Sequence, residues 1–162
     1  MGRISGLKGN QIIIARDMAM QAAFLGLNNE PNIHYTEGSA RWQGINLHRK
    51  AWRGEYPNWA DCSSFVTWCL WNGLDHFHRP DVVNGLKWQA GYTGTMLTHG
   101  EVIRGKSWLM RGDAIIYGSS WPGQHTAIYI GNDRVISHGS EAGPNLLPMH
   151  YREDILGVRR YI

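Results

Sequence analysis

The chain has 162 residues, 43% hydrophobic and 18% charged, with a formal net charge of +3. That length and composition give a single domain over residues 1–162 with a sizeable core, and they exclude a disordered chain. No basic run exceeds the Arg159-Arg160 pair and no nucleic-acid-binding motif is present. Nucleic acid is therefore not an expected partner, and the mild positive charge suits weak steering of an anionic polymer.

The N-terminal stretch has a short apolar patch at Ile12–Ala15, then Arg16 and Asp17. It lacks the uncharged run and small-residue cleavage site of a signal peptide, and no stretch of 18 apolar residues spans a membrane. Apolar residues at Ile13, Ile14, Met18, Ala22 and Leu25 predict a helix over residues 10–27, closed near Gly26. Residues 28–58 read as loop. Asp61 is a predicted N-cap, and the helix it opens runs from Cys62 through Trp71 to an Asn72-Gly73 stop, with Phe65, Val66, Cys69 and Leu70 as its apolar stripe. Residues 74–110 are Gly-rich and irregular, with one short helix predicted over 82–89. The period then changes. Strands are predicted over 113–117, 125–130, 134–138 and 155–162, and Gly131-Asn132-Asp133 forms a tight hairpin turn between the middle two. Helices followed by antiparallel strands make an α+β pattern. Most of the eight Trp are assigned to the core, and some to a substrate groove.

The chemistry-bearing residues cluster around Cys62. A Cys in the first helical turn sits where free backbone N–H groups and the helix dipole favour a thiolate, and the same N–H groups can hold an oxyanion. Cys69, seven residues on and about 10 Å along the axis, is too far for a disulfide and is assigned to packing. A nucleophilic Cys needs a base, and the base needs an orienting partner. His125 opens one strand of the hairpin and His138 closes the other, so the turn can make them neighbours, with His138 orienting His125.

Four segments carry a family resemblance. Asp61-Cys62-Ser63-Ser64-Phe65-Val66 resembles the Asp-Cys-Ser-Gly-Phe-Val signature of the NlpC cell-wall cysteine peptidases. Arg111–Tyr117 resembles that family's Pro-Gly-Asp-Leu strand, and His125–Gly131 its His-Val-Gly-Ile-Tyr-Ile-Gly strand. Val135–His138 matches the segment bearing the third catalytic residue, with the 13-residue gap between the two His. The chain is most similar to the N-terminal peptidase module of endolysins from phages of actinobacteria. The resemblance implies a papain-like fold and cleavage of an amide bond in the peptidoglycan stem peptide, between D-γ-glutamyl and diaminopimelate. It implies Cys62 as nucleophile, His125 as base and His138 as orienter, with Asp61 and Ser63 touching the stem peptide. Ser64 replaces the family's Gly, and Tyr56 is the candidate for its upstream Tyr near the oxyanion.

No metal or organic cofactor is expected, and the domain is expected to act as a monomer, without membrane. With no signal peptide, the expected location is the host cytoplasm until release to the wall. The absence of a linker or wall-binding domain after Ile162 fits a module cut from a longer lysin. Gly100–Ser107 formally matches a P-loop but lacks the buried strand before it and room for the helix after it. His76 and His78, with Asp75 and Asp81, lack a metal-ligand spacing. Two alternatives remain: a CHAP-type amidase cutting between muramic acid and L-Ala, where the third residue is commonly Asn or an acid, and a non-catalytic wall-binding module using its Trp for stacking.

Overall fold

The computed structural model describes residues 4–47, 49–139 and 143–162. Helix α1 spans Asn10–Asn28, two-residue strand β1 spans His34–Tyr35, and short helix α2 spans Gln43–Asn46. Strand β2 (Trp59–Ala60) pairs in parallel with β1 and runs straight into helix α3, Cys62–His76. A further short helix, α4 (Thr93–Thr98), precedes β3 (Glu101–Val102), β4 (Ala114–Tyr117), β5 (His125–Gly131), β6 (Arg134–His138), β7 (Pro144–Pro148) and β8 (Ile155–Arg160). These six strands form one sheet in the order β3-β8-β4-β5-β6-β7, every pair antiparallel. The predicted α+β architecture is present.

Helix α3 is the centre of the molecule. Every residue from Cys62 to Leu74 is buried, because α1 covers one side and β5 and β6 the other. The buried face of α1 is Ala15, Ala19, Ala22, Ala23 and Gly26, with Met20 its one large side chain. The sequence pattern picks out bulkier residues, yet Ile13 and Ile14 are 59% and 43% exposed. Small side chains win this face because the two helices pack very closely. A Cβ on Gly73 would lie 2.2 Å from the Ala15 carbonyl oxygen, and one on Gly26 would lie 2.5 Å from the Phe65 ring. The helix predicted over 82–89 is instead a set of turns. They wrap the Asp81 carboxylate, which accepts the backbone N–H groups of Val83, Asn84, Leu86 and Trp88. Strand β7, unpredicted, has Pro at both ends and lies on the sheet edge, where a missing N–H is tolerated.

Both faces of the sheet are apolar. Ile116, Ile128 and Ile136 join the helices in the main core, while Ile115, Tyr117, Ala127, Tyr129 and Val135 pack on the far side with Met149. Only Trp42, Trp68 and Trp71 are buried. Trp52, Trp59, Trp108 and Trp121 are 43–70% exposed, so the core takes fewer Trp than the composition suggests.

Candidate active site

Asp61 caps α3 with a reciprocal pair of bonds: its carboxylate accepts the Ser64 N–H at 2.8 Å, and the Ser64 hydroxyl accepts the Asp61 N–H at 2.8 Å. A Gly at position 64 could not make the second bond, so Ser64 completes a capping box. The cap fixes Cys62 as the first helical residue. Its side chain is 8% exposed and meets the backbone N–H groups of Thr126, Ser63 and Cys62 itself. Burial pushes the Cys62 thiol up to about 12, the Asp61 carboxylate adds to the shift, and those N–H groups oppose it. Burial thus favours the neutral thiol over the thiolate. Cys69 is fully buried, its thiol also pushed well up by burial, and both cysteines are unpaired.

Thr126, whose amide meets Cys62, follows His125 directly in β5. The His125 Nε2 lies 2.5 Å from Ser137 Oγ, with the Tyr117 and Tyr151 rings on its flanks. His138, expected beside His125, is elsewhere. It is fully buried, its Nε2 is 3.4 Å from the His34 carbonyl oxygen, and its ring meets Tyr35 and Phe65 edge-on. Burial holds its pKa below the ordinary value.

The reason is a register shift in the hairpin. Asn132 and Asp133 both have positive φ, as a two-residue hairpin turn requires, and Gly131 pairs with Arg134. An unbroken ladder from that pair would set residue 138 opposite 127, on the face of His125. A bulge between Tyr129 and Gly131 instead pairs Tyr129 with Val135 and Ile128 with Ile136. One residue of slip exchanges the faces. Ser137 turns to His125, and His138 turns inward to α3.

The other predicted contacts resolve as follows. Asp61 also receives Arg41 Nη1 at 2.6 Å and the Ser63 hydroxyl at 3.2 Å. Asp61 and Ser63, 5% and 2% exposed, are thus engaged with each other and with Arg41. Tyr56 packs on the main core, and its hydroxyl accepts from Asn32 Nδ2 at 3.3 Å. The tyrosine beside the thiol is Tyr35. Burial, its hydrogen bond to Glu37 at 3.1 Å, and the charges of Cys62, Glu37 and Asp61 all raise its pKa. A cleft of about 510 Å³ opens between Tyr35 and His125, also walled by Gln124, Ser137, Asn145, Tyr151 and Arg152; none of the exposed Trp lines it. Sequence reasoning missed Ser137, Tyr35 and Arg41. Strand alternation could have offered Ser137 had the bulge been known, while Tyr35 and Arg41 lie in irregular segments that carry no periodic signal. Among the described residues no group of three or more His, Cys, Asp or Glu is placed to hold a metal ion, and no helix is long and apolar enough to cross a membrane.

A buried helix opening on a cysteine, laid against an antiparallel sheet whose strand carries His125 one residue before the amide that meets that cysteine, defines a papain-like α+β fold. Within that class the chain belongs to the NlpC/P60 family, whose model matches residues 48–153 and so takes in Cys62, His125, Ser137 and His138. Among solved structures it is similar to the peptidoglycan hydrolase RipB from Mycobacterium tuberculosis (19% identity, TM-score 0.64, covering 98% of this chain and 70% of that one). It is also similar to the resuscitation-promoting-factor-interacting protein RipA mutated at a cysteine (20%, 0.67, covering 97% and 67%). A third is NlpC1 from Trichomonas vaginalis (17%, 0.59, covering 90% and 44%). The chain spans about half the length of the two Trichomonas proteins. No curated protein sequence matches it.

Proposed function

We propose that this domain hydrolyses an amide bond in the peptidoglycan stem peptide, with Cys62 as nucleophile and His125 as general base. The observation that carries the reading is the placement of Cys62: a buried thiol at the start of α3, against the amide of the residue that follows His125. Membership of the NlpC/P60 family and the likeness to the peptidoglycan hydrolase RipB support the substrate class.

The chemistry follows from a neutral thiol. His125 takes the Cys62 proton as Sγ attacks the carbonyl carbon, so no free thiolate accumulates. The negative charge moves to the carbonyl oxygen, where backbone N–H groups at the α3 terminus can receive it. The imidazolium then protonates the leaving amine and the C–N bond breaks, leaving a thioester. Water, deprotonated by His125, attacks the thioester and releases the carboxylate and the thiol.

Within this reading the scissile bond is that between D-γ-glutamyl and diaminopimelate, and the chain is the monomeric catalytic module of a phage lysin that reaches the wall after release from the host cytoplasm. Both rest on the sequence resemblance. The test is lysis of permeabilised actinobacterial cells followed by turbidity, wild type beside Cys62→Ala, with mass spectrometry of the released fragments. Clearing by wild type alone, with new amino groups on diaminopimelate, is the expected result. New L-Ala termini would make the domain an amidase, and binding to walls without clearing by either form would make it a wall-binding module.

A further inference from the structure

We propose that Ser137, rather than His138, is the residue that positions His125, and that it does so by accepting the Nε2–H, which leaves Nδ1 as the atom that takes the thiol proton. The inference rests on Cys62 and His125 acting as set out above.

Three observations carry it. The first is the contact between His125 Nε2 and Ser137 Oγ. The second is the register. With Tyr129 opposite Val135 and Ile128 opposite Ile136, continuing the ladder sets Ala127 opposite Ser137, so Ser137 and His125 share one face while His138 faces the other. The two apolar clusters agree, since Ala127, Tyr129 and Val135 pack on the far side and Ile128 and Ile136 pack against the helices. The third is the surroundings of each side chain. Ser137 and His125 both wall the open cleft. His138 is fully buried between Tyr35 and Phe65, and its Nε2 reaches the β1 carbonyl of His34, so it ties the end of β6 to β1.

The chemical consequence is a choice of tautomer. A neutral imidazole carries one N–H and one lone pair, and which nitrogen holds which is set by the partner of the other. With Ser137 accepting from Nε2–H, the lone pair lies on Nδ1. Nδ1 accepts the Cys62 proton, and Nε2–H stays bonded to Ser137 through the whole cycle. The hydroxyl is uncharged, so it orients the ring without fixing a compensating anion beside the imidazolium.

The tautomer can be read without turnover. Nitrogen-15 spectra of histidine-labelled Cys62→Ala protein at neutral pH should show His125 as the Nε2–H form, with two well-separated nitrogen shifts. Adding Ser137→Ala should draw the two shifts together as the tautomers mix. In the Cys62-containing enzyme, Ser137→Ala should lower kcat about tenfold to a hundredfold with KM within about twofold, as expected when a hydrogen bond that orients a base is lost. Ser137→Thr, which keeps the hydroxyl on a strand-compatible side chain, should restore most of the rate. His138→Asn should lower Tm while kcat per folded molecule stays within about threefold. An Nδ1–H form of His125, shifts insensitive to Ser137→Ala, or a folded His138→Asn as inactive as Cys62→Ala would each overturn the assignment. Hydrolysis that survives in Cys62→Ala would instead refute the nucleophile, and the spectra would still decide Ser137.

Discussion

A Cys62 that rests as a neutral thiol has a measurable cost in alkali. The thiol ionises above its ordinary value of 9.0 in the unfolded chain but only near 12 in the folded one. Above pH 9 the unfolded state therefore holds fewer protons, and stability falls as pH rises until the folded pKa is passed. For this one group the loss is below about 0.1 kcal/mol at pH 8, about 1.4 kcal/mol at pH 10 and about 4 kcal/mol by pH 12. Cys69, Tyr35, Tyr117 and Tyr161 are shifted the same way and steepen the alkaline decline, but they are common to wild type and a Cys62→Ala variant. The difference in unfolding free energy between those two proteins isolates Cys62. Urea titrations at pH 8 and pH 10 should show that difference move by about 1.4 kcal/mol in favour of the variant. In parallel, the rate of Cys62 alkylation by iodoacetamide should climb with pH up to 10 without levelling, because only the thiolate reacts. A difference that stays constant between the two pH values, or an alkylation rate that plateaus near neutrality, would mean that Cys62 rests as a thiolate paired with an imidazolium, and the general-base account of attack would fall.

Two further outcomes test the frame around the site. Asp61→Asn keeps an acceptor for the Ser64 N–H but removes the charge that helps raise the Cys62 pKa, so alkylation at pH 8 should quicken; loss of the Arg41 pair, partly exposed on the arginine side, should cost about 1 kcal/mol in urea unfolding. Unchanged or slower alkylation would show that Asp61 exerts no field at the thiol. Gly73→Ala forces a Cβ to within 2.2 Å of the Ala15 carbonyl oxygen on a helix that cannot easily withdraw. The gain in helix propensity, about 1 kcal/mol, is outweighed by overpacking of about 3 kcal/mol or more, so Tm measured by circular dichroism should fall by several degrees. A Tm at or above wild type would contradict the close α1–α3 packing.

The elements legible in the sequence were those where one local signal decides the outcome. Asp61 before an apolar run can hardly be anything but a cap, and Asn132-Asp133 between two β-rich runs is a hairpin turn. The close helix pair is less legible, because the buried face of α1 is, apart from Met20, alanine and glycine, which periodicity counts least, while Ile13 and Ile14 are exposed. The turns around Asp81 were hidden for a different reason, since a single carboxylate organises them through backbone amides rather than through side-chain pattern.

The hairpin shows how a correct element can still give an incomplete site. The sequence pattern predicts two strands and a turn within residues 125–138, and the structure has β5 and β6 there. Which of two adjacent residues meets His125 depends on whether the ladder carries one extra residue. In a sheet with one wet face, polar alternation would reveal that register. Here Ala127, Tyr129 and Val135 are as apolar as Ile128 and Ile136, because both faces are covered, so the pattern is the same whichever way the strand is turned. The pair Ser137-His138 offers a hydroxyl on one face and an imidazole on the other, and chemical preference alone selects the imidazole. The bulge between Tyr129 and Gly131 selects the hydroxyl, and it places the imidazole where it braces β6 against β1 under Tyr35, the tyrosine beside the thiol. The identity of a positioning residue in such a hairpin is thus set by backbone register before it is set by side-chain chemistry.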